Sequence, residues 1–240
     1  MKTQTLYLSD PYLKTFEQAK IVDIITIENQ KALVLDKTIF YPMGGGQATD
    51  QGFLYSTNNH KAEVYQVQVK DGEILHFIKS TDTFLLNEFV RLEINWDRRY
   101  KNMKLHSAGH IIDFAIFLMG YSPNTLKPLK AEHNKDPHIM YEGYLDEDIK
   151  DKLQEKVNIL ISQAVDFKWE FVEFDTLKSK AIYLQPNLPT NKPLRMLELV
   201  GVGSVADGGT IVKNTSEVNS IQITAIERIE DNTIVKYKCL

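Results

Sequence analysis

Residues 100–119 read YKNMKLHSAGHIIDFAIFLM, and this stretch divides the chain into two parts of different character. Its apolar residues recur at helical spacing: Met103, Ile111, Phe114 and Leu118. The stretch contains no proline and only one glycine, so the pattern predicts an α-helix with a buried face. The sequence before this helix is rich in strand-like runs, whereas the sequence after it mixes helices and strands. We therefore expect a domain boundary near residue 95.

The first 95 residues consist of short alternating or β-branched runs that are separated by turn residues. Asp71-Gly72 lies between two of these runs and is a typical hairpin signal. The runs cover residues 21–27, 32–35, 64–69, 74–78 and 89–96. Several short strands with frequent turns predict a small β-barrel, so residues 1–95 are expected to form an N-terminal β-barrel domain.

Residues 96–240 combine helical and strand-like patterns. A second stripe of apolar residues at helical spacing predicts another helix: Ile149, Leu153, Val157, Leu160, Ile161 and Ala164. A short helix is expected from Asp175, and strand-like runs cover residues 167–174, 194–200, 220–227 and 233–238. The predicted fold class is therefore α+β, with a small β-barrel followed by a domain whose helices pack on an antiparallel sheet.

Composition limits the function classes. The single cysteine, Cys239, excludes an internal disulfide framework and a zinc site made only of cysteines. The sequence shows neither a basic-then-apolar leader nor an apolar run of membrane-spanning length, so we expect a cytoplasmic protein with no membrane partner. The formal net charge of −4 argues against a general nucleic-acid-coating role, and any RNA contact has to come from a local patch.

The helix carries two histidines, His106 and His110, at positions i and i+4. This spacing places both imidazoles on one face, within reach of a single metal ion. The motif is not that of the helical metalloproteases, because Ser107 stands where those enzymes need a glutamate base. Two histidines with no shared ligand are the alternative interpretation.

Two further stretches are rich in glycine. The first, Tyr41–Gln47, has three consecutive glycines that allow a ligand to approach the backbone closely: Gly44, Gly45 and Gly46. No Gly-Lys-Ser/Thr follows, so this stretch is not a P-loop, and a flexible turn is the alternative. The second is Asp207-Gly208-Gly209, where Asp207 offers an oxygen ligand or simply forms a β-turn.

Basic residues and two more histidines complete the set of candidates. Four cations lie within seven residues just before His106, and they either contact phosphates or form a solvated helix face: Arg98, Arg99, Lys101 and Lys104. His133 and His138 flank a turn-like stretch. They are interpreted as loop residues, although either one could fill an empty position at a metal.

These blocks, in this order, resemble the AlaX family and the editing domain of alanyl-tRNA synthetase. The family loop Phe-Tyr-Pro-x-Gly-Gly-Gly-Gln-x-x-Asp-x-Gly matches residues 40–52. The family helix Arg-x-x-x-Met-x-x-His-Thr-Ala-x-His matches residues 99–110, with Ser107 in place of Thr. The third block, Cys-Gly-Gly-Thr-His-Val-x-Asn-Thr-x-Glu, matches residues 207–217, with Asp207 for Cys and Ile211 for His.

The resemblance implies a zinc site built from the two helix histidines and from the Cys and His of the third block. Ile211 cannot bind a metal, so the expected ligands here are His106, His110 and Asp207. Two histidines and one carboxylate serve catalytic zinc elsewhere, with open positions for water and substrate. Iron, manganese or nickel also suit such a set. The alternative is a decayed site that holds metal weakly or not at all.

The resemblance also implies a function: hydrolysis of serine or glycine wrongly attached to alanine tRNA, with the aminoacyl end of the tRNA as the partner. Water or substrate would be oriented by Ser107, Thr210 and Gln47. The expected substrate-binding residues are Gly44, Gly45, Gly46, Arg98, Arg99 and Lys213. Two alternatives stay open, namely a homologue that binds tRNA or an aminoacyl end without hydrolysis, which Ile211 favours, and a metal-dependent hydrolase of a small molecule.

Overall fold

The computed structural model describes residues 2–146 and 148–240. The chain separates into two compact units, of which the first ends at Asn102 and the second begins at Met103. The division falls within helix α2, Trp96–Leu118. The sequence-based boundary at residues 95/96 stays a prediction. Across the described ranges, no helix has the length and apolar character needed to span a membrane.

The first unit contains a closed barrel of antiparallel strands, as the sequence predicted. Its strands are β2 (Thr15–Ile27), β3 (Gln30–Leu35), β5 (Gly52–Ser56), β6 (Lys61–Lys70), β7 (Glu73–Lys79) and β8 (Phe89–Ile94). Around the barrel they follow the order β2-β3-β7-β6-β5-β8. Outside it, strand β1 (Gln4–Thr5) pairs in parallel with β4 (Lys37–Thr38), and a short helix α1 covers Leu6–Ser9. Strand β5 was not predicted. It begins at Gly52, the last residue of the matched loop block, residues 40–52.

Alternating side chains fill the barrel. Along β5 and β8, buried residues alternate with more exposed ones, and the buried positions include the apolar residues Leu54, Val90, Leu92 and Ile94. A barrel of this size has an interior that side chains can fill. The core includes Leu33, Leu35, Leu54, Val64 and Leu92.

One histidine is buried in the barrel unit with both ring nitrogens in use. Nδ1 of His76 lies 3.0 Å from the Leu33 carbonyl oxygen, and Nε2 lies 2.8 Å from Oγ1 of Thr38. Because a carbonyl only accepts, Nδ1 carries the hydrogen and the Thr38 hydroxyl donates to Nε2. Burial, partly offset by the Leu33 bond, lowers the pKa of His76 to about 4. His76 is therefore a satisfied neutral histidine.

The second unit contains two four-stranded sheets in the described residues. The first has the antiparallel order β15-β16-β10-β9, with strands β9 (Lys127–Glu132), β10 (His138–Glu142), β15 (Ile221–Ile229) and β16 (Asn232–Cys239). The second has the order β11-β13-β14-β12, with strands β11 (Phe167–Val172), β12 (Ala181–Tyr183), β13 (Leu194–Leu199) and β14 (Gly203–Ala206). The predicted α+β class is confirmed, with a second sheet whose β12–β14 pair is parallel.

Three helical segments accompany these sheets: α3 (Ile149–Ser162), α4 (Phe174–Lys180) and a 3-10 turn, Thr215–Val218. Four positions of the predicted apolar stripe of α3 are buried, namely Ile149, Leu153, Val157 and Leu160. Ile161 is half-buried, and Ala164 is exposed beyond the end of the helix. Gln154 joins α3 to strand β15, because its side chain donates to the Ile221 carbonyl and accepts from the Ile223 amide. The first sheet is therefore covered by a helix, in agreement with the sequence pattern.

Candidate metal centre

The two helix histidines and one aspartate converge in the second unit. His106 and His110 lie one turn apart on α2, and their ring centroids are 5.0 Å apart. Asp207 directly follows β14, and its Oδ1 atom lies 3.4 Å from Nε2 of His106 and 3.5 Å from Nε2 of His110. One ligand atom from each residue lies within 4.8 Å of the other two. The predicted three-residue set thus meets around one point.

The spacing in this group fits a shared ion better than direct hydrogen bonds. Two ligands at the usual zinc distances in a tetrahedral site lie about 3.3–3.4 Å apart. The two histidine-to-aspartate distances are close to that value and longer than an ordinary N–H···O bond. Nε2 of His110 is buried and forms no hydrogen bond within the described part of the chain. The donor set therefore fits a divalent transition metal such as zinc.

A buried arginine fixes the carboxylate of Asp207. Nη1 of Arg195 donates to Oδ2 of Asp207 at 2.8 Å and to the Gly209 carbonyl at 3.0 Å. The Arg195 guanidinium also lies over the Trp169 ring, 5.1 Å from its centroid. Because Oδ2 is held in this way, Oδ1 is the oxygen that faces the histidines.

Gly209 lies against the ring of His106. A Cβ atom at position 209 would lie 1.8 Å from Cε1 of His106, which is far inside van der Waals contact. The Gly209 amide also donates to Oδ1 of Asp207 at 3.1 Å. A Cβ at Gly208, in contrast, would meet no atom within 4 Å. Only the second glycine of the pair is required by the packing of the site.

Burial and charge set the protonation of the group. Burial lowers the pKa of His106 to about 4, although Asp207 acts in the opposite direction. Burial also lowers the pKa of His110, but Asp207 and Asp113 outweigh this effect and the pKa lies above its ordinary value. Burial raises the pKa of Asp207, whereas both histidines and Arg195 hold it well below the usual range. An ionised carboxylate thus faces a neutral imidazole, His106, and a more basic one, His110.

Ser107 links the helix to the third block of the sequence. Its hydroxyl donates to the Met103 carbonyl at 2.8 Å and accepts from the Val212 amide at 3.0 Å. The side chain is fully buried. Its one hydrogen is therefore used within the fold, which indicates a structural role and not the predicted donation to water or substrate.

The other predicted residues of this unit lie along the same block. Thr210 and Ile211 are both fully buried. Lys213 is exposed and lines an open cleft of about 670 Å³ together with Trp169. Ile211 occupies the family's histidine position with a fully buried apolar side chain, so it contributes no ligand.

The glycine-rich loop belongs to the first unit. The Gly44 and Gln47 backbones exchange two hydrogen bonds, and the Tyr41 hydroxyl donates to the Gly44 carbonyl at 2.9 Å. Gly45 and Gly46 have positive φ values of 55° and 77°, which explains the need for glycine there. The loop is thus an ordered turn. The Gln47 side chain is buried within this unit.

The two predicted arginines differ in accessibility. Arg99 has no exposed surface, and its guanidinium binds Asp50 and the carbonyls of Pro11 and Ile39. This burial corrects the prediction that Arg99 contacts phosphates, because its side chain cannot reach a phosphate in solution. Arg98 is half-buried, and its Nε donates to the Thr49 carbonyl at 2.9 Å.

Three residues beside the site were not predicted to support it. Arg195 lies within a strand, and only the structure places it next to Asp207. Asp113 follows His110 by three residues, and one of its carboxylate oxygens lies 4.0 Å from Nδ1 of that histidine. The Tyr141 hydroxyl donates to Asp113. The i+3 spacing of Asp113 was the one sequence signal available for this group.

Comparison with known proteins identifies the family of the chain. The alanyl-tRNA editing protein AlaX-M of Saccharolobus solfataricus is 34% identical to the chain over 237 residues, which cover 94% of the chain and 93% of that protein. The chain belongs to the AlaX family. This AlaX-family chain is also 31% identical to the alanine–tRNA ligases of Saccharolobus islandicus (strain L.S.2.15) and Halobacterium salinarum, over 97% and 96% of its length.

The matched region makes up only 26% and 25% of those ligases, so the AlaX-family chain spans about a quarter of their length. A family profile described as tRNA synthetases class II (A) matches residues 2–98. The resemblance inferred from the three sequence blocks is therefore confirmed over nearly the whole chain.

Proposed function

We propose that this chain is a trans-editing hydrolase that removes serine or glycine from wrongly charged alanine tRNA. The observation that carries the proposal is the convergence of His106, His110 and Asp207 in a member of the AlaX family. One relative is named as an alanyl-tRNA editing protein, and others are named as alanine–tRNA ligases. The reaction adds water across the ester between the amino acid and the terminal ribose.

The residues that would hold a zinc ion are His106, His110 and Asp207. When bound there, zinc would polarise a carbonyl group and lower the pKa of water. Arg195 keeps Oδ2 of Asp207 engaged, so Oδ1 stays turned toward the two imidazoles. The Gly209 amide holds the same oxygen from the backbone. These contacts prepare the ligand geometry before any ion arrives, which reduces the cost of ordering the site.

The choice of amino acid would depend on polar contacts and not on free space beside Ala108 and Gly109. Ala108 is fully buried, and a Cβ atom at Gly109 would lie 2.5 Å from the His133 ring. Discrimination between serine and alanine would come from buried polar groups that bind the serine hydroxyl, because alanine would leave them unpaired. Thr210 is the buried hydroxyl that the family motif places nearest in sequence to Asp207.

Contact with the tRNA would rely on exposed cations and not on net charge. Lys213 is exposed in the third block, and Lys101 is exposed on α2. Arg98 is partly exposed and is already anchored to Thr49. Side chains of this kind position a phosphate backbone without reading its sequence.

The test is deacylation of alanine tRNA that carries serine, glycine or alanine. Each substrate is assayed with protein stripped by a chelator, and then after addition of zinc, manganese or iron(II). We expect metal-dependent release of serine or glycine, with alanine released much more slowly. An absence of release with every metal would rule out the hydrolase.

Ile211 favours a second candidate, a homologue that binds the aminoacyl end but does not hydrolyse it. This residue is fully buried and cannot replace the histidine of the family pattern. The two candidates are separated by Ile211→His. If the wild-type protein is inactive and Ile211→His gains both zinc affinity and deacylation, the chain is a binder that has lost its chemistry. If the wild-type protein is active, the hydrolase stands.

A further inference from the structure

A third histidine lies beside the candidate metal centre. His133 directly follows strand β9, and its side chain is only 4% exposed. Its ring centroid lies 4.8 Å from that of His106, with 28° between the ring planes. The corresponding values for His106 and His110 are 5.0 Å and 32°. The His133 ring therefore stacks on the His106 ring, at nearly the centroid distance that separates His106 from His110.

The hydrogen bonds of His133 determine which nitrogen is available. The Tyr237 hydroxyl donates its one hydrogen to the Leu105 carbonyl at 2.9 Å. It therefore accepts from Nδ1–H of His133, which lies 2.5 Å away. The lone pair of this histidine is then on Nε2, which is the nitrogen available to a metal ion.

A glycine provides the space for this ring. A Cβ atom at Gly109 would lie 2.5 Å from Cε1 of His133 and 3.1 Å from its Nδ1. Gly109 lies between His106 and His110 in the helix. Because Gly109 has no side chain, the His133 ring packs directly on the helical turn that carries His106 and His110. Gly209 makes room for the His106 ring in the same way.

We propose that His133 binds the metal through Nε2 as a fourth protein ligand, beside His106, His110 and Asp207. This inference rests on the metal site of the proposed function and deepens it. The Tyr237 hydroxyl, which accepts from Nδ1–H of His133, would fix the tautomer and the orientation of the ring. Nε2 of His133 is not among the atoms that lie within 4.8 Å of one another, so its ring closes toward the ion as the metal binds.

The first experiment uses the wild-type protein. Uniformly 15N-labelled protein is stripped of metal and titrated with zinc, and the histidine ring nitrogens are followed by NMR. We expect the Nε2 signal of His133 to shift together with those of His106 and His110, at the same zinc equivalent. His76, whose two nitrogens are both bonded within the barrel unit, is the internal control and keeps its signals.

The second experiment compares His133→Ala with a matched control, His138→Ala. Nδ1 of His138 donates to the Asp136 carbonyl at 2.7 Å, in the same turn. Zinc affinity is measured by competition with a chromophoric chelator, and Co²⁺ absorption reports the ligand set. We expect at least a tenfold loss of affinity and an altered Co²⁺ spectrum for His133→Ala, and neither change for His138→Ala.

The outcomes separate this inference from the proposed function. If the wild-type protein binds zinc through His106 and His110 while the Nε2 signal of His133 stays unchanged, the fourth-ligand proposal fails and the three-residue site stands. If the wild-type protein binds neither zinc nor Co²⁺, the metal site and the fourth ligand both fail. Because the NMR titration needs no substitution, poor folding of His133→Ala would not affect its result.

Discussion

The two units bury histidines in opposite ways. In the barrel unit, both nitrogens of His76 have hydrogen-bond partners at 2.8 and 3.0 Å. In the second unit, Nε2 of His110 is buried, faces Oδ1 of Asp207 at 3.5 Å and forms no hydrogen bond to a described residue. A buried polar group normally has a partner, so His76 belongs to a complete structural network, whereas His110 has a nitrogen available for the proposed ion.

The largest expected effect concerns the predicted metal ligands. Asp207→Asn keeps the size of the side chain but removes its charge, and Asp207 is the one anionic residue of the predicted ligand set. Zinc affinity should therefore fall by more than the roughly 10–100-fold that is lost when a residue hydrogen-bonded to a ligand is replaced. The affinity is measured by chelator competition. Asp151→Asn, on the exposed face of α3, is the control and should bind zinc like the wild type.

The second prediction concerns the buried histidine of the barrel unit, His76, and the pH dependence of the free energy of unfolding. His76 stays neutral in the folded unit until about pH 4, whereas the unfolded chain takes up a proton below about 6.5. The stabilisation is therefore complete above pH 6.5 and is lost as the pH falls toward 4. Relative to His76→Gln, the wild type should lose about 3 kcal/mol between pH 7 and pH 4.

Urea unfolding measures this loss, with fluorescence as the readout. The chain has two tryptophans, Trp96 in the first unit and Trp169 in the second. In a Trp169→Phe background, Trp96 reports the barrel unit alone. If the wild type and His76→Gln lose the same free energy of unfolding between pH 7 and pH 4, His76 is not a neutral buried histidine.

The third prediction concerns the backbone around the site. Gly209→Ala places a Cβ against the His106 ring and should shift that ring out of register with Asp207. Zinc affinity is expected to fall by roughly tenfold or more, as when a residue that orients a metal ligand is replaced. Gly208→Ala is the matched control, because a Cβ there meets no atom within 4 Å. Identical affinities for the two variants would contradict the packing that we describe.

The smallest expected effect concerns Ser107. Its hydroxyl serves the Met103 carbonyl and the Val212 amide, so Ser107→Ala leaves a buried amide without its partner. The second unit should lose about 1–3 kcal/mol of stability, measured by urea unfolding with Trp169 fluorescence in a Trp96→Phe background. Zinc affinity per folded molecule should change little. If Ser107→Ala is fully folded and saturated with zinc but has lost most of its deacylation activity, Ser107 has the catalytic role that the motif suggested.

Local sequence spacing predicted the parts of the site that lie within one helix or one motif. His106 and His110 were found from their i, i+4 relation, and Asp207 from its register in the third block. Arg195 was out of reach, because its position beside Asp207 depends on strand pairing that brings distant residues together. His133 was named only as one of two loop histidines that could fill an empty position, because its place beside His106 depends on the fold. The barrel followed from alternating patterns, whereas Arg99 was misread as a surface cation because its buried partner, Asp50, is 49 residues away.

The hydrogen bond between Ser107 and Val212 joins positions 105 residues apart. An ion shared by His106 and Asp207 would close almost the same loop and act as a reversible cross-link of the chain. Each ion bound to the folded form alone adds stability that grows with the free ion concentration. The free concentration of metal would then set the unfolding free energy of the second unit. The barrel is closed by its own strands, so its stability would not depend on the metal.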